Sequence, residues 1–112
     1  GYHHHIGLNA WAGKGIPPAP PHHAGLYHFA ILYPSRAELA KVLKNLIDAD
    51  YPLTGTADHG VSEALYLNDP DSIGVELYVD RPRKEWKVSN DGMVEMVTKP
   101  LDIQSLLAEL QD

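Results

Sequence analysis

GLYHFAILYPSRAELAKVLKNLIDA, residues 25–49, decides the fold. Its first nine residues, Gly25 to Tyr33, are rich in aromatic and β-branched side chains and read as a buried strand with His28 in its middle. Pro34 removes a backbone donor and ends that strand. Ser35-Arg36-Ala37-Glu38 has the spacing of a capping box, with Ser35 as N-cap and Glu38 three positions on. Behind it Leu39, Val42, Leu43, Leu46 and Ile47 recur at helical spacing and make one apolar stripe. A helix is therefore expected from Arg36 to Ala49, and Tyr51-Pro52 prevents its extension.

Downstream, three short strands are expected: Leu53 to Ala57, Val61 to Asn68 and Val75 to Asp80. Asp58-His59-Gly60 and Asp69-Pro70-Asp71-Ser72 separate them, and both are rich in turn formers. Glu63, Leu65 and Leu67 alternate with Ala64 and Tyr66, the pattern of a half-buried antiparallel strand. Residues 25–86 thus form an α+β unit with the order βαβββ. Upstream, residues 1–10 (GYHHHIGLNA) read as one more strand, an orphan of a preceding module, joined through a Pro-rich connector at 11–24. Residues 87–112 form a tail in which Asp102 caps a short helix carrying Ile103, Leu106, Leu107 and Leu110.

The chain has 112 residues, enough for one core. A net charge of −6 argues against a nucleic-acid partner, which needs clustered Lys and Arg. No apolar run reaches the roughly 18 residues that cross a bilayer, so no membrane partner is expected. The lack of cysteine excludes disulfides and thiolate metal sites and fits a cytoplasmic location. Seven histidines stand out, because imidazole ligates metals and titrates near neutrality.

His28 and Glu76 each fall near the centre of an expected strand. Glu76 sits among Ile73, Val75, Leu77 and Val79, and a carboxylate in an apolar run calls for a cation or a strong donor. Imidazole with carboxylate suits Fe(II), Mn(II) or Zn(II). The plainer alternative puts Glu76 on a solvated face and makes His28 a satisfied core histidine. In His3-His4-His5, alternation places His3 and His5 on one strand face, where either could bind a metal or carry a proton; a purification-tag remnant is the plainer source of such a run. His59 lies in a turn and carries little weight alone.

From Asp58, the sequence DHGVSEALYLNDPDSIGVELYVDRP resembles the signature of extradiol ring-cleavage dioxygenases, in the vicinal-oxygen-chelate superfamily that also holds glyoxalase I and bleomycin-resistance proteins. The matching positions are His59, Leu65-Tyr66, Asp69-Pro70 and Glu76. Ala57 departs from the usual residues, and Ser72 stands where glycine or proline is expected. GLYHFAILYP resembles the first strand of the last module in these enzymes, whose histidine is a metal ligand, and YHHHIGLNAW resembles the final strand of the module before it.

The resemblance implies that His28 and Glu76 are metal ligands, with Fe(II) most favoured and Mn(II), Zn(II) or Ni(II) as alternatives. It implies that His5, with His4 as the near alternative, is an acid–base residue, and that His59 and Tyr66 contact substrate. The implied activity is ring cleavage of a catechol-like substrate with O2 at a 2-His-1-carboxylate site. A glyoxalase-like isomerase or lyase, and a metal-free binding protein of the drug-resistance type, are the alternatives within the same fold. The family's first histidine ligand belongs to the preceding module, so the chain reads as lacking that module. A homodimer is expected, since pairing would cover open sheet edges and an apolar concave face.

Overall fold

A computed structural model describes residues 1–111. Its elements in chain order are β1 (His28–Leu32), α1 (Arg36–Asp48), β2 (Gly55–Asp58), β3 (Ser62–Asn68), β4 (Gly74–Asp80), a 3-10 turn (Arg83–Glu85) and α2 (Ile103–Ala108). The four strands form one sheet in the order β1-β4-β3-β2. β1 runs parallel to β4, and the other neighbours are antiparallel. The βαβββ unit read from the sequence is this sheet with α1 on one face.

α1 starts where the cap was expected. The Ser35 side chain accepts from the Glu38 backbone N–H at 3.2 Å. The reciprocal half of the box is not made: the Glu38 carboxylate pairs with Lys41 instead, at 2.6 Å. The helix ends one residue earlier than expected. Asp50 adopts φ 50°, and the Tyr51 and Asp50 amides donate to the Leu46 and Ile47 carbonyls. That pair of bonds closes the helix before Pro52 is reached.

The core lies between α1 and the sheet. Leu39, Ala40 and Leu43 from α1 meet Leu65 and Leu67 of β3 and Val75, Leu77 and Val79 of β4. Leu101 and Leu106 close one end, which makes the C-terminal tail part of the core. α2 is capped by Asp102, whose side chain accepts from the Ser105 amide at 2.9 Å.

The opposite sheet face carries the chemistry-bearing positions. Register pairs Tyr66 with Glu76 across β3 and β4, and His28 with Gly74 across β1 and β4. Strand alternation then puts His28, Tyr66 and Glu76 on one face, away from α1. Gly74 is what allows β1 to sit so close. A Cβ built there would lie 2.5 Å from the Tyr27 carbonyl oxygen and 2.9 Å from His28 Cβ.

Two expectations are corrected. His28 opens β1 rather than standing in its middle, because β4 provides pairing only from Gly74 onward. The strand expected over residues 1–10 does not form. Those residues are exposed, and the bonds found before His28 are local turn contacts such as Gly13 N–H to Ala10 O. A strand exists only through its ladder, and no strand of the described sheet borders this segment.

Candidate metal centre

Glu76 is the third residue of β4, and its flanking neighbours Val75 and Leu77 point into the core. Its carboxylate is therefore directed to the other face, where it stays 16% exposed. His28 approaches from the adjacent parallel strand, and its Nε2 lies 3.2 Å from Glu76 Oε2. The Tyr27 ring meets the His28 ring edge-on, with centroids 5.0 Å apart.

On the other flank, the Tyr66 hydroxyl lies 3.1 Å from Glu76 Oε1 and 2.8 Å from His59 Nε2. His59 Nδ1 lies 2.9 Å from the Val97 carbonyl oxygen. A hydrogen-bonded row thus runs from Val97 through His59 and Tyr66 to Glu76, with His28 at its end. Burial, reinforced by the charge and hydrogen bonding of Glu76, pushes the Tyr66 phenol up to about 12. Tyr66 is accordingly a neutral hydrogen-bonding group at physiological pH, not a phenolate.

Two oxygen or nitrogen donors on one ion, at about 2.2 Å and a right angle, stand roughly 3.1 Å apart. The separation of His28 Nε2 and Glu76 Oε2 matches that spacing, and the imidazole–carboxylate set suits a borderline divalent metal. The pair fits one edge of a coordination sphere. Among the described residues, no group of three or more histidine or carboxylate side chains is gathered around a common point. Beside the pair opens a cavity of about 520 Å3 lined by Tyr27, His28, Thr54, Gly55, Tyr66 and Asn68.

The structure brings together four of the five candidate residues: His28, Glu76, Tyr66 and His59. His5 is exposed in the irregular N-terminal segment, where its ring lies 5.4 Å from that of Tyr2. His4 is also exposed there, against His3.

Two features escaped the sequence. The first is the role of Val97, which lies 38 residues from His59 in a segment with no motif. The second is a charge network on the helix side. Glu63 is 3% exposed and holds Arg36 at 2.6 Å, while Arg81 reaches Asp58 at 2.6 Å and Glu63 at 3.3 Å. Donating hydrogen bonds to these carboxylates raises the pKa of both guanidinium groups, Arg36 chiefly through Glu63 and Arg81 chiefly through Asp58. Burial pushes the Asp58 carboxyl up, but Arg81 and the Gly60 amide outweigh it and hold it below the ordinary range. A signal for this network was present, since Glu63 shares strand parity with Leu65 and Leu67 and was bound to turn inward. A larger cleft of about 600 Å3 opens beside it, but its arginines are already paired with carboxylates.

Comparison with known proteins points the same way as the signature. The chain is 51% identical over 88 residues to a catechol-2,3-dioxygenase of Bacillus subtilis (strain 168), a match covering 79% of this chain and 30% of that protein. It is 35% identical over 78 residues to biphenyl-2,3-diol 1,2-dioxygenase 3 of Rhodococcus globerulus, covering 70% of this chain and 41% of the relative. Biphenyl-2,3-diol 1,2-dioxygenase 2 of the same organism is 31% identical, over 70% of this chain and 40% of the relative. The chain thus spans less than half the length of each of these relatives. No family model matches it, and no solved structure does. With a βαβββ sheet that sets His59, Tyr66 and Glu76 in one row, the chain is related to the extradiol dioxygenases of the vicinal-oxygen-chelate superfamily.

Proposed function

We propose that this chain forms the metal-binding half of an extradiol-type dioxygenase acting on catechol-like substrates with O2. The observation that carries the proposal is the 3.2 Å approach of His28 Nε2 to Glu76 Oε2 on the open sheet face. The relatives' names, which speak of catechol and biphenyl-2,3-diol, support the substrate class. His28 and Glu76 would hold the divalent metal, Fe(II) by preference, with Mn(II), Zn(II) or Ni(II) as substitutes. When bound, the metal supplies the redox chemistry and a site where substrate oxygens and O2 meet.

The chain's own residues do the positioning. Tyr66 and His59 present a hydroxyl and an imidazole beside Glu76, placed to hydrogen-bond a substrate oxygen and to hold its proton. The cavity walled by Tyr27, Thr54 and Gly55 gives an aromatic ring room next to the pair. A third protein ligand would come from another segment or from a second copy of this chain. We place the protein in the cytoplasm as a homodimer. Exposed Leu26, Tyr27 and Leu32, close in sequence to the site strand, support a covering partner. No helix among the described residues is long and apolar enough to cross a membrane.

The two-donor set favours a second reading, a small-molecule binding module of the same frame that works without metal, since two ligands bind metal weakly. Calorimetric titration of the purified protein with Fe(II) under argon, followed by oxygen uptake with simple catechols, separates the readings. The proposal expects saturable binding that weakens by about tenfold or more in His28→Ala and Glu76→Ala. Failure to take up Fe(II), with retained affinity for an aromatic diol, would leave the binding module. A glyoxalase-like isomerase would instead show uptake of Ni(II) or Zn(II) and no consumption of oxygen.

A further inference from the structure

Residues 97–99 run beside the end of β2 and clamp the corner that holds His59. Asp58 and Lys99 exchange both backbone bonds, at 2.8 and 2.9 Å. The Val97 amide donates to the His59 carbonyl at 3.1 Å, and the Val97 carbonyl faces His59 Nδ1 at 2.9 Å. Val97 also packs over Gly60, where a built Cβ would lie 3.4 Å from its Cγ2. Just beyond, Leu101 is buried in the core, so the strap is anchored and its carbonyl has a set direction.

We propose that the Val97 carbonyl is a positioning group for the site, fixing His59 as the Nδ1–H tautomer and thereby presenting the Nε2 lone pair to the Tyr66 hydroxyl. A carbonyl oxygen only accepts, so the nitrogen facing it must carry the proton. In the neutral imidazole the other nitrogen then has only a lone pair. Tyr66 stands between two acceptors, His59 Nε2 at 2.8 Å and Glu76 Oε1 at 3.1 Å, with one hydroxyl proton to give. With Nδ1 engaged by the strap, both partners are acceptors and the hydroxyl proton is shared between them. Glu76 then shares that proton at Oε1 and keeps Oε2 for His28 or a cation. Without the strap, an Nε2–H tautomer would donate to the Tyr66 oxygen and turn the Tyr66 proton toward Glu76. The strap thus selects between two arrangements of one hydrogen-bonded row, and it does so whether or not the chain is a metalloenzyme.

Long-range 1H–15N correlation spectra of the 15N-labelled protein, recorded where the imidazoles are neutral, read the tautomer directly. We expect His59 to show a protonated Nδ1 and a bare Nε2, and Tyr66→Phe to leave that pattern unchanged because the Val97 carbonyl remains. An Nε2–H or mixed tautomer in the native protein overturns the proposal. So does a switch of tautomer in Tyr66→Phe, which would make Tyr66 the group that sets it. A second pair of variants tests the clamp itself. His59→Asn keeps an N–H donor near the Nδ1 position, whereas His59→Gln moves it toward the Nε2 position. Amide exchange at Val97 and Lys99 should stay slow in the former and quicken by about fivefold or more in the latter, the factor for one net hydrogen bond. Equal exchange in the two variants counts against the proposal.

Discussion

Gly74→Ala would place a methyl group 2.5 Å from the Tyr27 carbonyl oxygen and 2.9 Å from His28 Cβ. Both are well inside the roughly 3.5 Å at which carbon atoms begin to attract. Neither obstacle is the free end of a side chain, so no rotamer change relieves the clash. β1 must move away from β4, starting at the first rung of their ladder, His28 opposite Gly74. Overpacking of this kind costs about 1–3 kcal/mol, and with two backbone-anchored contacts the upper part of that range applies. For a chain of this size the fall in Tm is on the order of 10 °C. Gly55→Ala is the matched control, since a Cβ there meets nothing within 4 Å, and its effect should stay within about 0.5 kcal/mol or be mildly stabilising. Urea unfolding of the two variants, with slopes checked for constancy, compares them. Equal stability of Gly74→Ala and Gly55→Ala would refute the claim that glycine at 74 seats β1, and with it the account of how His28 reaches Glu76.

Glu63→Ala leaves Arg36 and Arg81 facing each other across a vacated site; because both guanidinium groups still reach water, the expected loss is about 2–4 kcal/mol by chemical denaturation. Asp58 has a lowered pKa, so its contribution is complete above the ordinary carboxylate range and is lost as pH falls through its folded-state value. Asp58→Asn should therefore flatten the acid limb of a stability–pH curve and leave its neutral region with a constant offset. Tyr66, raised to about 12, favours folding fully below the ordinary phenol range and loses that contribution as pH rises through about 12. Phenolate absorbance should show a late step that Tyr66→Phe removes, and titration of every tyrosine together would contradict it. Ser72 holds φ 65° in the turn before β4, where the family signature expects glycine or proline; Ser72→Gly should stabilise by about 0.5–1 kcal/mol in thermal unfolding, with relief of strain exceeding the added freedom of the unfolded chain.

The βαβββ order, the Ser35 cap and the two turns were readable from residues alone because each rests on local chemistry. A stripe of Leu39, Val42, Leu43 and Leu46 needs only helical periodicity, and a turn at Asp69 to Ser72 needs only its own side chains and backbone. The signature residues His59, Tyr66 and Glu76 were legible for a related reason. Tyr66 and Glu76 lie on the successive strands β3 and β4 and His59 in the turn just before them, so sequence spacing approximates spatial spacing. His28 was identified through its own strand pattern, but its place at the start of β1 was not, because pairing with Gly74 is a property of two strands.

Residues 1–10 show the limit from the other side. YHHHIGLN alternates as a strand should, yet alternation states only which face a residue would take if a neighbour supplied the ladder, and no described strand does. His5 therefore lies outside the row that the sheet assembles. Glu63 carried an inward parity, but which cations would meet it depended on Arg36 entering from α1 and Arg81 from the end of β4.

By itself, then, the sequence determined the elements of the βαβββ unit, their order and the residue types capable of chemistry on the open face. Only the tertiary structure decided the 3.2 Å meeting of His28 with Glu76, the enclosure of Glu63 by two arginines, and the Val97 carbonyl behind His59. The physical reason is that periodicity and turn chemistry act within a few residues. Register, burial of charge and the direction of a hydrogen bond depend on partners that only folding brings into reach.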